Sequence, residues 1–503
     1  MAIVSPHRIP VIVGVADVID QPADLAQARE PAALMADALL VALQDAAGPA
    51  AGSLLSALDS LDIVAEHSWP YDQPCDVLAA RVGHAPKRCV YGVAGGESPV
   101  RFIHEAALRI ASGDSVVAAI VGAEAQYSVA AASKQSLQLP WSPRGSNAGL
   151  LRGKDLCHPI AISHGMTQPV HVYPFYENAA TAAWGQTPAE AMRESAALWS
   201  DFSRIAAEHP CAWSKQAYSA EQLATPSQDN RPVAWPYTKH MVANPFVNQG
   251  AAVVLTSLAR ARELGIADER CVFVHAGARA VEPRDYLLRD QYQRSHAQEA
   301  VLKSMRQAAS RFDAVELYSC FPIVPKMARR VLALPANAKL TSIGGLSFFG
   351  APLNNYMTHA AAGLVRRLRN RREGFALLYG QGEFVTKHHA LLLSSSPPLH
   401  DLAASDGDVQ ARADRQRQPV PELVDDYSGP AALETFTVVY GRDAGSEFGT
   451  VIARTSDDRR LMARIPASDS TSLQVLTDLS ATPVARVGHV TRGTDNLLHW
   501  TMT

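Results

Sequence analysis

Cysteine is scarce in this sequence, which has six in 503 residues and no two spaced as a CxxC pair. Because structural zinc sites usually need such paired thiolates, the spacing argues against a zinc site of this kind. So few cysteines in a long chain are typical of proteins from a reducing compartment. We therefore expect the cysteines to be free thiols.

Long apolar runs and a surplus of charge are also missing. No uninterrupted run reaches the roughly 18 apolar residues that a membrane-spanning helix needs. The N-terminus lacks the basic and apolar segments of a signal peptide. The formal net charge is -3 and the pI is about 6.6, whereas nucleic-acid binding calls for a basic surplus. We predict a soluble cytoplasmic protein without a membrane or nucleic-acid partner.

The sequence does contain short apolar runs that alternate with amphipathic segments. Ile9–Val15 and Val116–Gly122 are typical of buried strands, whereas Pro31–Ala47 and Ser98–Ser112 have helical spacing. Strands alternating with helices at these lengths predict an α/β fold with crossover connections. The residues predicted to share the buried face of the second helix are Val100, Ile103, Ala107 and Ile110.

This alternation fades and then restarts, which predicts two copies of one α/β plan. The predicted N-terminal half covers residues 1–275 and includes a long excursion at about 125–245, a length that is usually functional. The predicted C-terminal half covers 276–395, and a linker rich in turn residues covers 396–430. Short strands broken by turn residues over 431–503 predict a small antiparallel β-barrel domain.

Five segments, in order along residues 1–395, resemble those of thiolases. They are Gly95–Pro99, Asn244–Ala252, Glu316–Phe321, Gly344–Pro352 and Tyr379–Gly382. Further segments resemble the thiolase-like proteins of type 1, which also carry an added C-terminal domain. These are Tyr173–Ala179, Asp229–Pro232, Trp235–Lys239 and Thr386–His389. The resemblance implies a duplicated, five-layer αβαβα thiolase fold with a loop-domain insertion, and an OB-like C-terminal barrel.

Thiolase chemistry needs a cysteine nucleophile at a helix N-terminus, a histidine that activates it and a second cysteine that moves a proton. By the resemblance, the nucleophile position falls on Gly96, and Ala351 replaces the histidine of one loop. Cys320 matches the acid–base cysteine of the sterol-carrier-protein-type branch, and Tyr318 stands where that branch has histidine. Cys320 and Tyr318 are therefore candidate catalytic residues, and a packed remnant is the alternative for Cys320.

His388 and His389 follow a strand-like run, so their side chains are predicted to face opposite sides. One of them would then point into a cleft, and we take His388 as the third candidate catalytic residue.

The remaining candidates concern the binding of coenzyme A, which the resemblance implies as substrate or ligand. Glycine-rich loops let backbone approach a ligand, and a helix N-terminus offers free N–H groups to a phosphate or thioester oxygen. Lone basic side chains would suit phosphates, with a solvated surface role as the alternative. The candidate binding residues are Gly96, Ser98, Arg101, Arg231, Lys239, Gly345 and Lys387.

Three functions stay open from the sequence. The first is a protein that binds CoA thioesters, an acyltransferase by resemblance but without the usual cysteine nucleophile. The second is a retro-aldol lyase on a β-hydroxyacyl-CoA, which needs only a base and a site that stabilises an enolate. The third is a non-catalytic acyl-CoA-binding scaffold. We expect no covalently bound cofactor, CoA or acyl-CoA as the partner, and a monomer or homodimer.

Overall fold

The computed structural model describes residues 4–146, 151–371 and 374–502. The strands are β1 Pro10–Ile19, β2 Leu58–Ile63, β3 Arg88–Tyr91, β4 Val117–Ala125, β5 Pro232–Ala234, β6 Tyr237–Thr238, β7 Asn248–Ser257, β8 Val272–Val281, β9 Ala314–Leu317, β10 Phe375–Gly382, β11 Lys387–Ser394, β12 Gly429–Tyr440, β13 Ser446–Thr455, β14 Arg460–Pro466, β15 Val487–Arg492 and β16 Leu498–Met502. The α-helices are α1 Pro31–Ala47, α2 Ala51–Ser56, α3 Pro74–Val82, α4 Ser98–Ser112, α5 Gln126–Gln135, α6 Pro159–Ser163, α7 Pro169–Ala183, α8 Pro188–Glu208, α9 Ala220–Ala224, α10 Leu258–Glu263, α11 His296–Ala308, α12 Ile323–Val331, α13 Tyr356–Arg371, α14 Gln410–Asp414 and α15 Ser470–Leu476.

A nine-stranded mixed sheet organises the first four fifths of the chain. Its strand order is β3-β2-β4-β7-β1-β8-β11-β10-β9, and β1 and β8 join antiparallel at Val11 and Phe273. In the first half, β1 at the junction pairs antiparallel with β7, the last strand of that half. In the second half, β8 pairs antiparallel with β11 in the same way. The second half therefore repeats the first with one strand fewer. The division predicted at residue 275 falls inside β8, which pairs along its length with β11.

Helices cover this sheet in layers. Helix α1 packs on β1, β4 and β7, and α11 packs on β8 and β11. Helices α4 and α13 pack on each other and on strands of both halves, so they form a shared central layer. The layers are therefore outer helices, the first half of the sheet, the central helices, the second half of the sheet and outer helices. This order confirms the predicted five-layer duplicated fold. The apolar face predicted for α4 is confirmed as well, because Val100, Ile103, Ala107 and Ile110 are all buried.

Helix α1 also accounts for the most apolar part of the chain. Among the described residues, Pro31–Ser56 is the one helical stretch whose length and mean hydropathy of 1.3 would suit a membrane span. Core helices pass the same test, and here Leu34, Leu39 and Leu43 of α1 are buried against the sheet. The apolar face of α1 therefore has a partner within the protein core.

The C-terminal barrel closes on five strands. Their order is β12-β13-β14-β16-β15, and β12 pairs with both β13 and β15. Strands β14 and β16 are parallel, and α15 lies between β14 and β15 in the chain. This small Greek-key barrel around a core that includes Phe436, Val451 and Trp500 confirms the predicted OB-like domain.

The barrel docks on the excursion between β4 and β7. The Thr435 hydroxyl donates to the carbonyl of Phe175 at 2.6 Å, and the Asn178 amide donates to the carbonyl of Phe436 at 2.8 Å. These bonds join β12 to α7, the helix that also contributes to the site described below.

The cysteines differ from the expectation of free thiols. Cys75 in α3 and Cys89 in β3 form a disulfide, with their Cα atoms 6.0 Å apart. The expectation was wrong for this pair because only the folded chain brings the start of α3 next to β3. Cys157, Cys211, Cys271 and Cys320 are free. The cysteine count therefore no longer supports a reducing compartment, and the cytoplasmic location stays a prediction.

Candidate active site

Gly96 lies two residues before α4, at the position that corresponds to the thiolase nucleophile. A Cβ atom built on Gly96 would overlap the hydroxyl of Tyr318 and would lie 2.5 Å from the carbonyl oxygen of Gln381. The space that a cysteine side chain would need is therefore filled by a phenol and a backbone group. At the first position of α4, Ser98 is buried and its hydroxyl has no partner among the described residues.

Glu97 brings a carboxyl group to the same place. It is 5% exposed, and its Oε2 atom is buried without a hydrogen-bond partner in the described part of the chain. Burial raises the pKa of Glu97 to about 7, while the charge of Lys387 opposes this rise and that of Glu383 adds to it. A group with this pKa can accept and release a proton near neutral pH.

Tyr318 and Cys320 follow β9 and are both buried. Burial raises the pKa of Tyr318 well above its ordinary value, and the charges of Cys320 and Glu97 add to the shift. Burial likewise raises the pKa of the Cys320 thiol to about 12, although hydrogen bonding to Tyr173 opposes it. Cys320 is therefore a protonated thiol at neutral pH and not a ready nucleophile.

Tyr173 of α7 lies beside these residues, and we call Gly96, Glu97, Tyr173, Tyr318 and Cys320 the cluster. Its hydroxyl donates to the carbonyl of Glu383 at 2.7 Å and accepts from the Gln381 amide at 2.9 Å. Its ring stacks on Phe321, with ring centroids 4.4 Å apart. Tyr173 thus links the excursion to β10 and to the Tyr318–Cys320 segment.

The other free cysteines also lack thiolate character. Burial raises the pKa of Cys157 to about 12, and that of Cys211 and Cys271 to about 11. None of the free cysteines in the described ranges thus has the lowered pKa of an activated nucleophile. The site offers proton transfer and hydrogen bonding rather than thiolate attack.

His388 lies on the α11 side of β11. Its Nδ1 atom is 2.7 Å from the Tyr379 hydroxyl, and its Nε2 atom is 3.2 Å from the Ser295 hydroxyl. Burial lowers the pKa of His388 to about 4, so the ring is neutral. His389 faces the other side, where its Nε2 atom is 3.0 Å from Nδ1 of His104. The predicted opposite orientation is confirmed. His388 contacts the Tyr379 hydroxyl, and the backbone carbonyl of Tyr379 accepts from the Tyr318 amide at 3.0 Å.

A cavity of about 720 Å³ opens beside the loop that precedes Gly96. Its lining includes Glu66, Gly92–Ala94, Asn354, Glu383 and Lys387. Lys387 donates to the carbonyl of Ala94 at 3.0 Å and pairs with Glu383 at 2.9 Å. The charges of Lys387 and Glu383 both act on the pKa of Glu97, although Glu97 is not among the described residues that line the cavity.

The seven predicted binding residues lie in different parts of the structure. Gly96, Ser98 and Lys387 lie at the start of α4 or in the cavity wall. Gly345, with φ of +73°, lies in a π turn, where its amide donates to Tyr356 at 3.1 Å.

Three other predicted residues have partners elsewhere. Arg101 pairs with Glu105 along α4 at 2.7 Å. Arg231 donates to the carbonyls of Pro232 and Gly441, and Lys239 begins a short 3-10 turn. Within the described ranges, Arg101, Arg231 and Lys239 do not line the cavity.

Sequence reasoning missed Glu97, Tyr173 and Asn354. Asn354 accepts from the Gly95 amide at 2.9 Å and donates to the carbonyl of Ala65 at 2.8 Å, so it holds the glycine loop in place. Glu97 and Tyr173 both belong to segments whose resemblance to thiolases or thiolase-like proteins is visible in the sequence. A carboxyl group directly after Gly95-Gly96 was a usable signal, but the chemistry of thiolases directs attention to sulfur and imidazole instead.

Comparisons with known proteins agree with this geometry. A family model described as the additional C-terminal domain of thiolase-like protein type 1 matches residues 408–492. The whole chain is similar to a monomeric SCP2-thiolase like protein type 1 from Mycobacterium smegmatis, with 27% identity, a TM-score of 0.82 and 99% of each chain covered. No curated protein sequence matches the chain.

Two other solved structures share the fold. An Ltp2-ChsH2(DUF35) aldolase is 16% identical with a TM-score of 0.57, over 78% of this chain and 98% of that one. The human mitochondrial 3-ketoacyl-CoA thiolase in complex with CoA is 15% identical with a TM-score of 0.54, over 78% of this chain and 99% of that one.

The duplicated sheet and the glycine loop before α4 give the chain the fold of the thiolase superfamily. Within that superfamily, the chain resembles the thiolase-like proteins of type 1, including their additional C-terminal domain.

Proposed function

We propose that the chain binds a CoA thioester and cleaves a carbon–carbon bond in it by a retro-aldol reaction, without an acyl-enzyme. The observation that carries this proposal is at Gly96, where the hydroxyl of Tyr318 fills the space of the family's nucleophile. An acyl-enzyme needs a side chain at that place that can attack a thioester. A retro-aldol step needs only a base and donors for the enolate oxygen.

Glu97 is the proposed base. It removes the proton from the hydroxyl on the β-carbon, the bond between the α- and β-carbons breaks, and its electron pair passes into the thioester to form an enolate. The β-carbon leaves as an aldehyde or ketone. Protonation of the enolate at the α-carbon completes the reaction.

Tyr318 and Cys320 are the proposed proton donors. Their raised pKa values keep both groups protonated at neutral pH. Tyr318 is suited to donate a hydrogen bond to the enolate oxygen, because its hydroxyl lies at the N-terminal end of α4 beside Gly96. Cys320 is suited to donate its thiol proton to the α-carbon, and the proton held by Glu97 then restores the thiol.

The cavity beside the glycine loop is the proposed site for the acyl-pantetheine arm. Its volume of about 720 Å³ is within the usual range for small-molecule sites. Arg284 and Lys387 line it but both pair with Glu383, and Glu66 and Glu282 line it as well. The charges of Arg144 and Arg152 add to burial in lowering the pKa of His67, another lining residue. These two arginines are the proposed partners of the CoA phosphates. The complex of the human thiolase with CoA supports this ligand class.

The fold also occurs in an aldolase, so a lyase reaction is compatible with it. The test measures three activities of the purified chain: release of a carbonyl product from β-hydroxyacyl-CoA esters, thiolysis of acetoacetyl-CoA, and calorimetric binding of CoA. We expect carbonyl release that is lost in Glu97→Gln and reduced in Tyr318→Phe. Tyr427→Phe, which removes a hydroxyl that donates to the carbonyl of Pro430 at the start of the barrel, is the matched control.

Thiolysis that depends on Cys320, or a stable acyl group on any cysteine, would overturn the proposal in favour of acyl transfer. CoA binding with neither activity would leave the scaffold function.

We also propose that the chain is a monomer, as its full-length relative from Mycobacterium smegmatis is described to be. Light scattering coupled to size exclusion would then give a mass near 54.0 kDa. A mass of twice that value would support the homodimer, for which the exposed edge strand β3 with Val90 and Tyr91 offers a surface.

A further inference from the structure

A second polar cleft lies at the C-terminal end of α13. Its volume is about 500 Å³, and its lining includes Ser342, Arg366, Arg367, Asn370 and Arg371. We call it the arginine cleft. The N-terminal end of α13 lies by the glycine loop before Gly96, and a helix of 16 residues is about 24 Å long. The arginine cleft is therefore separate from the proposed CoA site.

The cleft has an excess of positive charge. Arg366 is neutralised by the buried Asp17, which it contacts directly. Arg367 and Arg371 are close enough that the charge of Arg371 adds to burial in lowering the pKa of Arg367. Among the described residues, the carboxylate whose charge raises the pKa of Arg367 is that of Asp313. Asp313 already pairs with Arg311 and accepts from a backbone amide.

The charges that act on His209 and Cys211, which also line the cleft, include those of Asp17, Arg366 and Lys215. Among these described groups, one carboxylate stands against two cations. Burial lowers the pKa of His209 to about 4, so this ring is neutral and brings no charge of its own.

Two donors in the cleft have no partner among the described residues. The Nε–H group of Arg367 and the hydroxyl of Ser342 are both buried and unbonded. Basic residues at a helix C-terminus often serve only to offset the helix dipole, and this explains the position of Arg371. It does not explain why Arg367, one turn earlier, has a buried donor without a partner, or why Ser342 of the same cleft has an unbonded hydroxyl. An anion with several acceptor oxygens would satisfy both groups.

We propose that the arginine cleft binds a phosphate-type dianion, either free phosphate or the phosphate group of a small metabolite. Arg367 and Arg371 supply the charge, and the Ser342 hydroxyl and the Asn370 amide supply further hydrogen bonds. A guanidinium group suits such a ligand because its planar donors match two phosphate oxygens at once.

The test is calorimetric titration of the full chain with inorganic phosphate and with pyrophosphate, at an ionic strength held constant with sodium chloride. We expect saturable binding that weakens at least tenfold in Arg371→Ala and is lost in the Arg367→Ala/Arg371→Ala variant. Arg262→Ala, which removes an exposed arginine that pairs with Asp268, is the control and should bind as the wild type does.

Thermal unfolding without ligand shows whether each variant is folded. Arg371→Ala is the safer variant in this respect, because Arg371 is exposed. The proposal is overturned if the wild type shows no saturable binding, or if Arg371→Ala binds with unchanged affinity. Either outcome leaves the lyase proposal intact, because the lyase assay uses a different ligand and site.

Discussion

At the scale of single residues, the chemistry of this site depends on a glycine and the two side chains around it. Gly96 leaves room for the Tyr318 hydroxyl, and Glu97 places a carboxyl group with a pKa of about 7 beside both. In a low-dielectric site without an opposing ion pair, a carboxyl group retains its proton to higher pH than in water. This gives Glu97 the properties of a base that works near neutral pH.

Replacing Glu97 by glutamine should abolish the proposed lyase activity. The base acts when deprotonated, so wild-type activity should rise with pH and reach half its maximum near pH 7. Activity at each pH is measured as carbonyl release, with Glu105→Gln on the same helix as control. A wild-type profile that is flat between pH 6 and 8 would exclude Glu97 as the base.

The same carboxyl group should cost stability above its unfolded pKa. Because its folded pKa is raised, the folded state holds the proton more tightly, and stability falls as pH rises from about 4.5 through about 7. A tenfold difference in proton affinity between the folded and unfolded states corresponds to about 1.4 kcal/mol. At pH 8, the free energy of unfolding of Glu97→Gln should therefore be equal to or higher than that of the wild type. Denaturant titration would measure both values.

Adding a methyl group at Gly96 should destabilise the protein by about 1–3 kcal/mol, the usual cost of overpacking. The new Cβ would meet both the Tyr318 hydroxyl and the backbone carbonyl of Gln381, and the latter cannot rotate away. Gly52→Ala in α2 is the matched control, because nothing lies within 4 Å of its Cβ position. We expect that variant to be neutral or slightly more stable. Equal unfolding free energies for the two variants would show that Gly96 is not confined.

At the scale of secondary-structure elements, a buried ion pair joins the excursion to the second half of the sheet. Lys326 of α12 contacts Glu177 of α7 at 2.5 Å, and both side chains are at most 1% exposed. Lys326 also donates to the Ser195 hydroxyl of α8 at 3.1 Å, and Tyr237 donates to Glu177 at 2.8 Å. Three helices and one strand thus meet at one pair of charges.

Removing one member of this pair should be costly. Lys326→Met leaves the carboxylate of Glu177 buried and without its cation, which typically costs about 3–5 kcal/mol. The double variant with Glu177→Gln should be less destabilised than the sum of the two single variants, because no charge is then left unpaired. Denaturant titration of the four proteins measures this coupling, and additive effects would contradict it.

The elements also mark how far the sequence alone could lead. The apolar spacing of α4 and the apolar runs of β1 and β4 are local patterns, so both the elements and their buried faces were predictable. The candidate active site was not, because it depends on distant contacts. Tyr173 bonds to Gln381 across 208 positions, and Tyr318 reaches Gly96 only after two halves of the chain have packed together.

At the scale of the whole molecule, the C-terminal barrel is part of the support of the site. It binds α7 through Thr435 and Asn178, and α7 carries Tyr173 into the active-site cluster. The charged side of this interface is Arg460 of β14, which is 0% exposed and pairs with Glu434 at 2.7 Å. Arg460 also donates to the carbonyls of Leu287 and Arg289, so it ties the barrel to the second half of the sheet as well.

Truncating Arg460 should therefore weaken the attachment of the barrel. Arg460→Ala leaves two buried carbonyls without their donor and removes one of the cations beside Glu434, so we expect a loss of about 2–4 kcal/mol. Limited proteolysis should then cut the linker at 396–430 faster, and differential scanning calorimetry should show a lower Tm. Arg459→Ala is the matched control, because the neighbouring Arg459 pairs only with Asp457 on the surface. If both variants keep the wild-type Tm and rate of cleavage, Arg460 does not hold the barrel in place.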